Sequence, residues 1–345
     1  MQINKKEDSR KIIFICTTYY HVLIAILKTW KRVCEADIIL CDDMQEYKDL
    51  QERLRRVNIF TNVYTYEKIG SNPHRPLTFF KILFTGHKRN AAWVETSLKV
   101  NLRAYKEVYI FHDGTELGRY LMDIRKKYVL LEDAEDFFKI VNQTASSQLF
   151  EEKNLKYYIK YILNYGYFYF GQNRFCRYIE VNDSRGIMIP QKKIRVARKK
   201  ELYNGLSIKQ KELLLEIFLD DKVCVSGCGK QVLILTEPLY IDGYIRNENI
   251  QKTVYKELVD EELRKGYTVI LKPHPRDDIQ YEISGNVRVL KKEFPIEIID
   301  FIIEEPFEKV IAISSTAVYG LRCVKEKVLL GKKVLEKHER NSSNV

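Results

Sequence analysis

Five short stretches of this chain carry side chains that could do chemistry: Thr18-Tyr19-Tyr20-His21, His112-Asp113-Gly114-Thr115, Glu132-Asp133-Ala134-Glu135, Lys272-Pro273-His274-Pro275-Arg276 and Ser314-Ser315-Thr316. Glu132 and Asp133 are adjacent carboxylates closing an apolar run. Successive side chains of an extended chain point oppositely, so one can serve as general base on a sugar hydroxyl while the other anchors its loop; a solvated acidic loop is the alternative. His274, between two prolines, is a histidine on rigid backbone. It suits proton donation or a hydrogen bond to a departing phosphate, with Lys272 and Arg276 favouring an anion beside it, or it is a surface histidine in a turn. Ser314, Ser315 and Thr316 open a helix, where hydroxyls and first amides converge either as a phosphate site without a glycine-rich loop or as an ordinary cap. His112-Asp113 is an acid–base pair or a strand-to-helix turn at Gly114.

The elements that must position these residues read as α/β. KIIFIC (11–16), ADIILC (36–41), KEVYIF (106–111) and KYVLLED (127–133) are continuous apolar runs rich in β-branched residues, and helical periodicity fills VLIAILKTWKR and ELGRYLMDIRK. Strands of that kind alternating with amphipathic helices predict a parallel sheet covered on both faces. A second series holds QVLILTEPL (231–239), a helix ending before Gly266, YTVILK (267–272), VRVL (287–290), a short helix after Pro295, KVIAI (309–313) and a helix opened by SSTAVYGLR. The expected organisation is an N-terminal α/β domain (1–190), a connector (191–230) with a helix capped by Ser207, a C-terminal α/β domain (231–325), and a basic tail (326–345) forming a helix that packs back on the N-terminal domain. Two Rossmann-like lobes facing a cleft would bind ligands beyond the carboxyl ends of their strands, where all five stretches fall.

Composition narrows the partners. The chain has 345 residues, 58 Lys plus Arg against 47 Asp plus Glu (58 − 47 = +11), and 45% hydrophobic residues. It is neither disordered nor collagen-like. No stretch approaches the ~18 apolar residues of a spanning helix, and MQINKKEDSRK lacks a signal-peptide core, so a cytoplasmic chain with reduced cysteines is expected. The charge calls for something anionic. The segment YYIKYILNYGYFYFGQNRFCRY (157–178) interleaves aromatics with cations, as a nucleic-acid surface or a membrane-resting face would, or as a buried helix pair covered by a solvated face. SGCGK (226–230) lacks the spacing and the Ser or Thr of a phosphate loop, and no D-x-D marks a metal site. No metal is expected.

In their order, these loops resemble the bacterial sialyltransferases of glycosyltransferase family 52 and the related polysialyltransferases. Those enzymes carry a D/E-D/E-G motif ending a strand, an HP motif and a later serine pair, here Glu132-Asp133-Ala134, His274-Pro275 and Ser314-Ser315. TTYYHVLIAIL resembles the family's T-P-Y-H/Q opening, with Tyr19 where proline is usual. His112-Asp113-Gly114 keeps the motif's glycine but not its first acid, and a strand-loop-helix unit precedes Glu132 as it precedes the motif in the family.

The resemblance implies a GT-B-type architecture and a metal-independent, inverting transferase that uses no cofactor. It would move sialic acid from CMP-sialic acid to a galactose-type hydroxyl of a bacterial surface glycan, capsule or lipooligosaccharide. Carried over, Glu132 is the general base, Asp133 supports its loop, and His274 protonates or hydrogen-bonds the CMP phosphate. Lys272, Pro275, Arg276, Ser314, Ser315, Thr316 and Thr236 line the donor site, Glu297 binds the donor ribose, and Thr18, Tyr19, His21, His112 and Asp113 lie on the acceptor side. The partners are then a nucleotide-sugar donor and a glycan acceptor, with a peripheral membrane contact and without nucleic acid. Another nucleotide-sugar donor, as for a hexosyltransferase, or a non-catalytic glycan- or nucleic-acid-binding protein are the competing readings.

Overall fold

The computed structural model describes residues 11–32, 34–68, 94–134, 137–138, 169–187, 191–219, 229–283, 285–303 and 305–341. His74, Arg75 and His87, most of the tyrosine-rich run and most of SGCGK lie outside them. The chain divides into two compact units, Met1–Ser207 and Ile208–Val345.

The first unit holds β1 (Ile12–Cys16), α1 (Tyr19–Trp30), β2 (Ala36–Cys41), α2 (Tyr47–Val57), β3 (Val63–Tyr66), β4 (Glu107–Ile110), α3 (Glu116–Asp123), β5 (Tyr128–Leu131), β6 (Cys176–Val181), β7 (Ile194–Val196) and α4 (Lys199–Tyr203). Its strands form one parallel sheet in the order β3-β2-β1-β4-β5-β6-β7, with Ile15 between Ile39 and Ile110. β1, β2 and β5 are buried residue for residue, as strands covered on both faces must be. α1 is apolar nearly all round and buried from Val22 to Lys28, so it forms core rather than surface. Each large apolar side chain so buried is worth about 1.5–3 kcal/mol.

The second unit repeats the plan with α5 (Ile208–Phe218), β8 (Gln231–Leu235), α6 (Glu248–Arg264), β9 (Thr268–Lys272), β10 (Val287–Val289), a 3-10 helix (Ile296–Phe301), β11 (Phe307–Ala312), α7 (Ala317–Gly320), β12 (Val324–Leu329) and α8 (Lys333–Asn341). Its parallel order is β10-β9-β8-β11-β12. Both sheets run outward from their first strand in two directions, the Rossmann-like pattern that creates a switch point, between β1 and β4 and between β8 and β11. The α/β expectation and the helix stop at Gly266, with φ of 84°, are met.

The boundaries fall elsewhere than the sequence suggests. The described residues 191–219 are divided between the two units rather than forming a separate connector: β7 extends the first sheet and α5 belongs to the second unit. The described part of the basic tail belongs to the second unit: β12 completes the second sheet, and Leu335 of α8 is buried in that unit's core with Val254 and Ile311.

Candidate active site

At the first switch point, β1 delivers Thr17 and Thr18 to the start of α1. Thr18 caps the helix, its hydroxyl accepting from the His21 N–H at 3.2 Å. His21 is wholly buried and stacks on Phe111, which directly follows β4, with ring centroids 4.0 Å apart. Its Nδ1 accepts from the Thr17 N–H at 3.2 Å, so the proton sits on Nε2, which donates to Asp133 Oδ1 at 2.5 Å. β5, the strand beyond β4, supplies Asp133. Burial works to raise this carboxyl, but His21, then His112 and Lys199, outweigh it and hold Asp133 below its ordinary value.

The two adjacent acids therefore do different things. Asp133 has a quarter of its side chain exposed, whereas Glu132 has 4%. The Glu132 Oε2 accepts from the Asn182 N–H at 2.8 Å and lies 3.8 Å from Lys199 Nζ, so it ties β5 to the turn after β6. It lines a small pocket there with Tyr20, Lys28 and Glu180.

Beside them, His112 follows β4 and its Nδ1 accepts from the Gly114 N–H at 3.0 Å, again leaving the proton on Nε2. A Cβ at Gly114 would come within 2.6 Å of His112 Cε1, so this turn needs glycine. Asp113 turns inward. It accepts from Tyr128 Oη (2.9 Å) and from the amides of Phe170 (2.7 Å) and Gly171 (2.9 Å), and burial pushes its carboxyl up despite them.

In the second unit the loop after β9 is built from inside. Thr236 Oγ1 accepts from the His274 N–H at 3.1 Å and donates to Asp277 at 2.5 Å. The His274 Nδ1 accepts from the Arg276 N–H at 3.1 Å, so this histidine too keeps its proton on Nε2, which no described residue takes. Burial, then Arg276 and Lys272, pushes His274 down to about 4. At pH 7 it is a neutral hydrogen-bond donor rather than an imidazolium. Protonation is penalised in the fold but not in the unfolded chain, so His274's contribution to stability is intact above pH ~6.5 and lost as pH falls toward 4. The melting temperature is expected to drop over that window in wild type and less in His274→Gln, read by thermal unfolding at stepped pH.

Several expected donor contacts are otherwise engaged. The amides of Ile313, Ser314 and Ser315, at the second switch point, all donate to Glu237 Oε1 (2.9, 2.7 and 2.9 Å), and the Ser314 hydroxyl donates to Glu237 Oε2. A carboxylate of the chain itself thus fills the nest expected to hold a phosphate. Ser315 Oγ accepts from the Ala317 N–H at 3.3 Å, at the start of α7. Lys272 is buried, its Nζ donating to the carbonyls of Pro273 (2.9 Å) and Lys292 (3.1 Å), and burial pushes it down to about 7. Arg276 forms a two-pronged pair with Asp242 at 2.8 and 3.1 Å.

The structure accordingly gathers His21, His112 and Asp133 in one unit and Thr236, Pro275 and His274 in the other. Tyr19 is set apart: it is buried, with its hydroxyl donating to the Gln45 carbonyl at 2.6 Å. Thr316 is half-buried at the start of α7, and half-buried Glu297 in the 3-10 helix acts on Lys272 by its charge. Sequence reasoning missed Glu237, Phe111 and Lys199. For Glu237 a signal existed, an acid directly after the apolar strand QVLIL. Among the described residues no three His, Cys, Asp or Glu side chains group as metal ligands, and no helix is long and apolar enough to cross a membrane.

The model of glycosyltransferase family 52 matches residues 78–335. An uncharacterized protein of Haemophilus influenzae (strain ATCC 51907 / DSM 11121 / KW20 / Rd) is 35% identical over 118 residues, 34% of this chain and 37% of that protein, so the match spans little more than a third of the relative's length. Among solved structures, the glycotransferase of kitacinnamycin has 7% identity and a TM-score of 0.44, covering 90% of this chain and 77% of its own. Arabidopsis thaliana UGT89C1 has 10% identity and a TM-score of 0.44, covering 90% and 76%.

Proposed function

The chain belongs to glycosyltransferase family 52, and on that premise we propose that it is an inverting sialyltransferase that moves sialic acid from CMP-sialic acid to a galactose-type hydroxyl of a bacterial surface glycan, capsule or lipooligosaccharide. The observation that carries the reading is Asp133: one carboxylate oxygen is fixed by His21, and the other takes no hydrogen bond from any described residue at the carboxyl end of β5. An ionised, partly exposed carboxylate so placed is suited to general base catalysis. Asp133 takes this role rather than Glu132, whose oxygen is committed to Asn182.

In the reaction the acceptor O–H bond breaks with its proton passing to Asp133. The acceptor oxygen bonds to the anomeric carbon from the face opposite the leaving group, and the anomeric C–O bond to phosphate breaks with its electron pair going to CMP. His274 offers its Nε2–H to the phosphate as that charge develops. CMP leaves as a monophosphate, so no diphosphate has to be neutralised and the reaction needs neither metal nor cofactor. The enzyme works on the cytoplasmic side, with its acceptor at the membrane.

The purified chain is to be given CMP-sialic acid, UDP-glucose, UDP-galactose and UDP-N-acetylglucosamine, each with lactose, and nucleotide release followed. CMP release that rises with lactose is expected from the first alone, undiminished by EDTA. Release from a UDP-hexose only would replace the donor while keeping the family's chemistry.

A further inference from the structure

Asp133 is not held by its own strand. Its Oδ1 is fixed from another element, 112 residues away in sequence, by a histidine with no exposed surface. The restraints on that histidine run in series. Thr18 caps α1 through the His21 N–H, the Thr17 N–H fills Nδ1, and the Phe111 ring lies under the imidazole at an interplanar angle of 7°. With Nδ1 committed as acceptor, only the tautomer protonated on Nε2 satisfies both ends of the ring. A phenylalanine would serve the packing as well and would need no polar partner, so the hydrogen-bond chain from Thr17 through His21 to Asp133 is what histidine adds.

We infer that His21 is a positioning residue for the base: by donating to Asp133 Oδ1 it fixes the carboxylate and leaves Oδ2 as the oxygen that removes the acceptor proton. The inference rests on the assignment of Asp133 as base in the transfer reaction. His21 itself neither gains nor loses a proton in the step. The acceptor proton moves to Oδ2, the Nε2–H stays on the ring, and the neutral acid that results still accepts through Oδ1. The groups facing Asp133 are His21 from α1, His112 from the turn after β4 and Lys199 from α4, with Glu132 next to it in the chain. His21 opposes the effect of burial most strongly among them. Without it, burial is less opposed and the carboxyl becomes harder to ionise.

The test compares the full chain with His21→Phe, which keeps the stack and loses the donor, and His21→Gln, whose amide nitrogen reaches the place of Nε2. His21→Phe is expected to lower kcat by about 100-fold, the scale of a misplaced catalytic group, with KM for the nucleotide sugar unchanged. The acid limb of its kcat profile is expected to move to higher pH, and His21→Gln to recover most of both. A folded His21→Phe with wild-type kcat and pH profile overturns the inference, as does a loss of kcat with an unshifted profile that His21→Gln fails to restore. Nitrogen-15 spectra of histidine-labelled wild type and Asp133→Asn give a readout that needs no turnover and no folded His21 variant. Expected are an Nε2-protonated His21 and a downfield Nε2–H resonance that moves upfield in Asp133→Asn; an Nδ1-protonated ring, or an unmoved resonance, overturns it. Absence of turnover with every nucleotide sugar would sink the transferase reading instead, and the spectra would still decide whether His21 fixes Asp133.

Discussion

Asp133→Asn is expected to lower transfer by about 10²–10⁴-fold, the range ascribed to a general base, while the protein melts within a degree or two of wild type. The substitution is close to isosteric and its amide oxygen can still accept from His21 Nε2, so the fold loses little; what goes is the capacity to take a proton. Glu132 should behave in the opposite way. Its carboxylate is buried and receives the Asn182 N–H, with Lys199 near by. Glu132→Ala leaves that amide without its acceptor, at a cost of about 1–3 kcal/mol. That corresponds to roughly 2–12 °C in melting temperature for a unit of this size, with activity falling in step with the folded fraction. Glu132→Gln, which can still accept from Asn182, should be mild in both respects. Parallel initial-rate and thermal-unfolding measurements on the three variants check this. An inactive Glu132→Gln of normal stability beside an active Asp133→Asn would return the base to Glu132, the position that the family motif indicates.

The largest expected loss of stability is in Glu237→Ala. Glu237 is 7% exposed, and its carboxylate accepts from the amides of Ile313, Ser314 and Ser315 and from the Ser314 hydroxyl. Removing it strips one acceptor from three backbone donors at once. At about 1–3 kcal/mol for each donor left buried, partly offset by entering water, a loss of about 3–5 kcal/mol follows. The same geometry supplies an internal control. Once the carboxylate is gone, three converging amides make an anion nest, so millimolar phosphate should raise the melting temperature of Glu237→Ala and leave that of wild type unchanged. Equal responses to phosphate in both proteins would mean that the nest does not need Glu237 to fill it. A melting temperature within 2 °C of wild type would show the tether to be dispensable.

The two α/β series were legible because their central strands are continuous apolar runs, IIFIC and VLL in one and QVLIL and TVILK in the other. The outer strands were not. β12 reads VKEKVL with its charges exposed, because it lies at a sheet edge and has only one face to bury, and β7 is three residues within a basic stretch. The alternation of Glu132 and Asp133 could be read from the pleat, but its phase could not. That depends on how β5 meets β6, where the register shifts between Tyr128 and Val129. The serine pair after β11 is legible, but its link to Glu237 is not, since Glu237 stands more than seventy residues earlier and no local pattern joins them. His274 on a rigid loop was legible; that Thr236, Asp277 and Asp242 make the loop rigid was not.

Asp113 holds the amides of Phe170 and Gly171, while Phe138 is wholly buried in the core and the rings of Phe137 and Phe170 lie 6.1 Å apart. Residues 137–138 and 169–171 thus meet at one spot although they stand far apart in the chain. Asp113 is the clasp: it draws two amides from residues that belong to no strand of the sheet and fastens them behind the turn that carries His112.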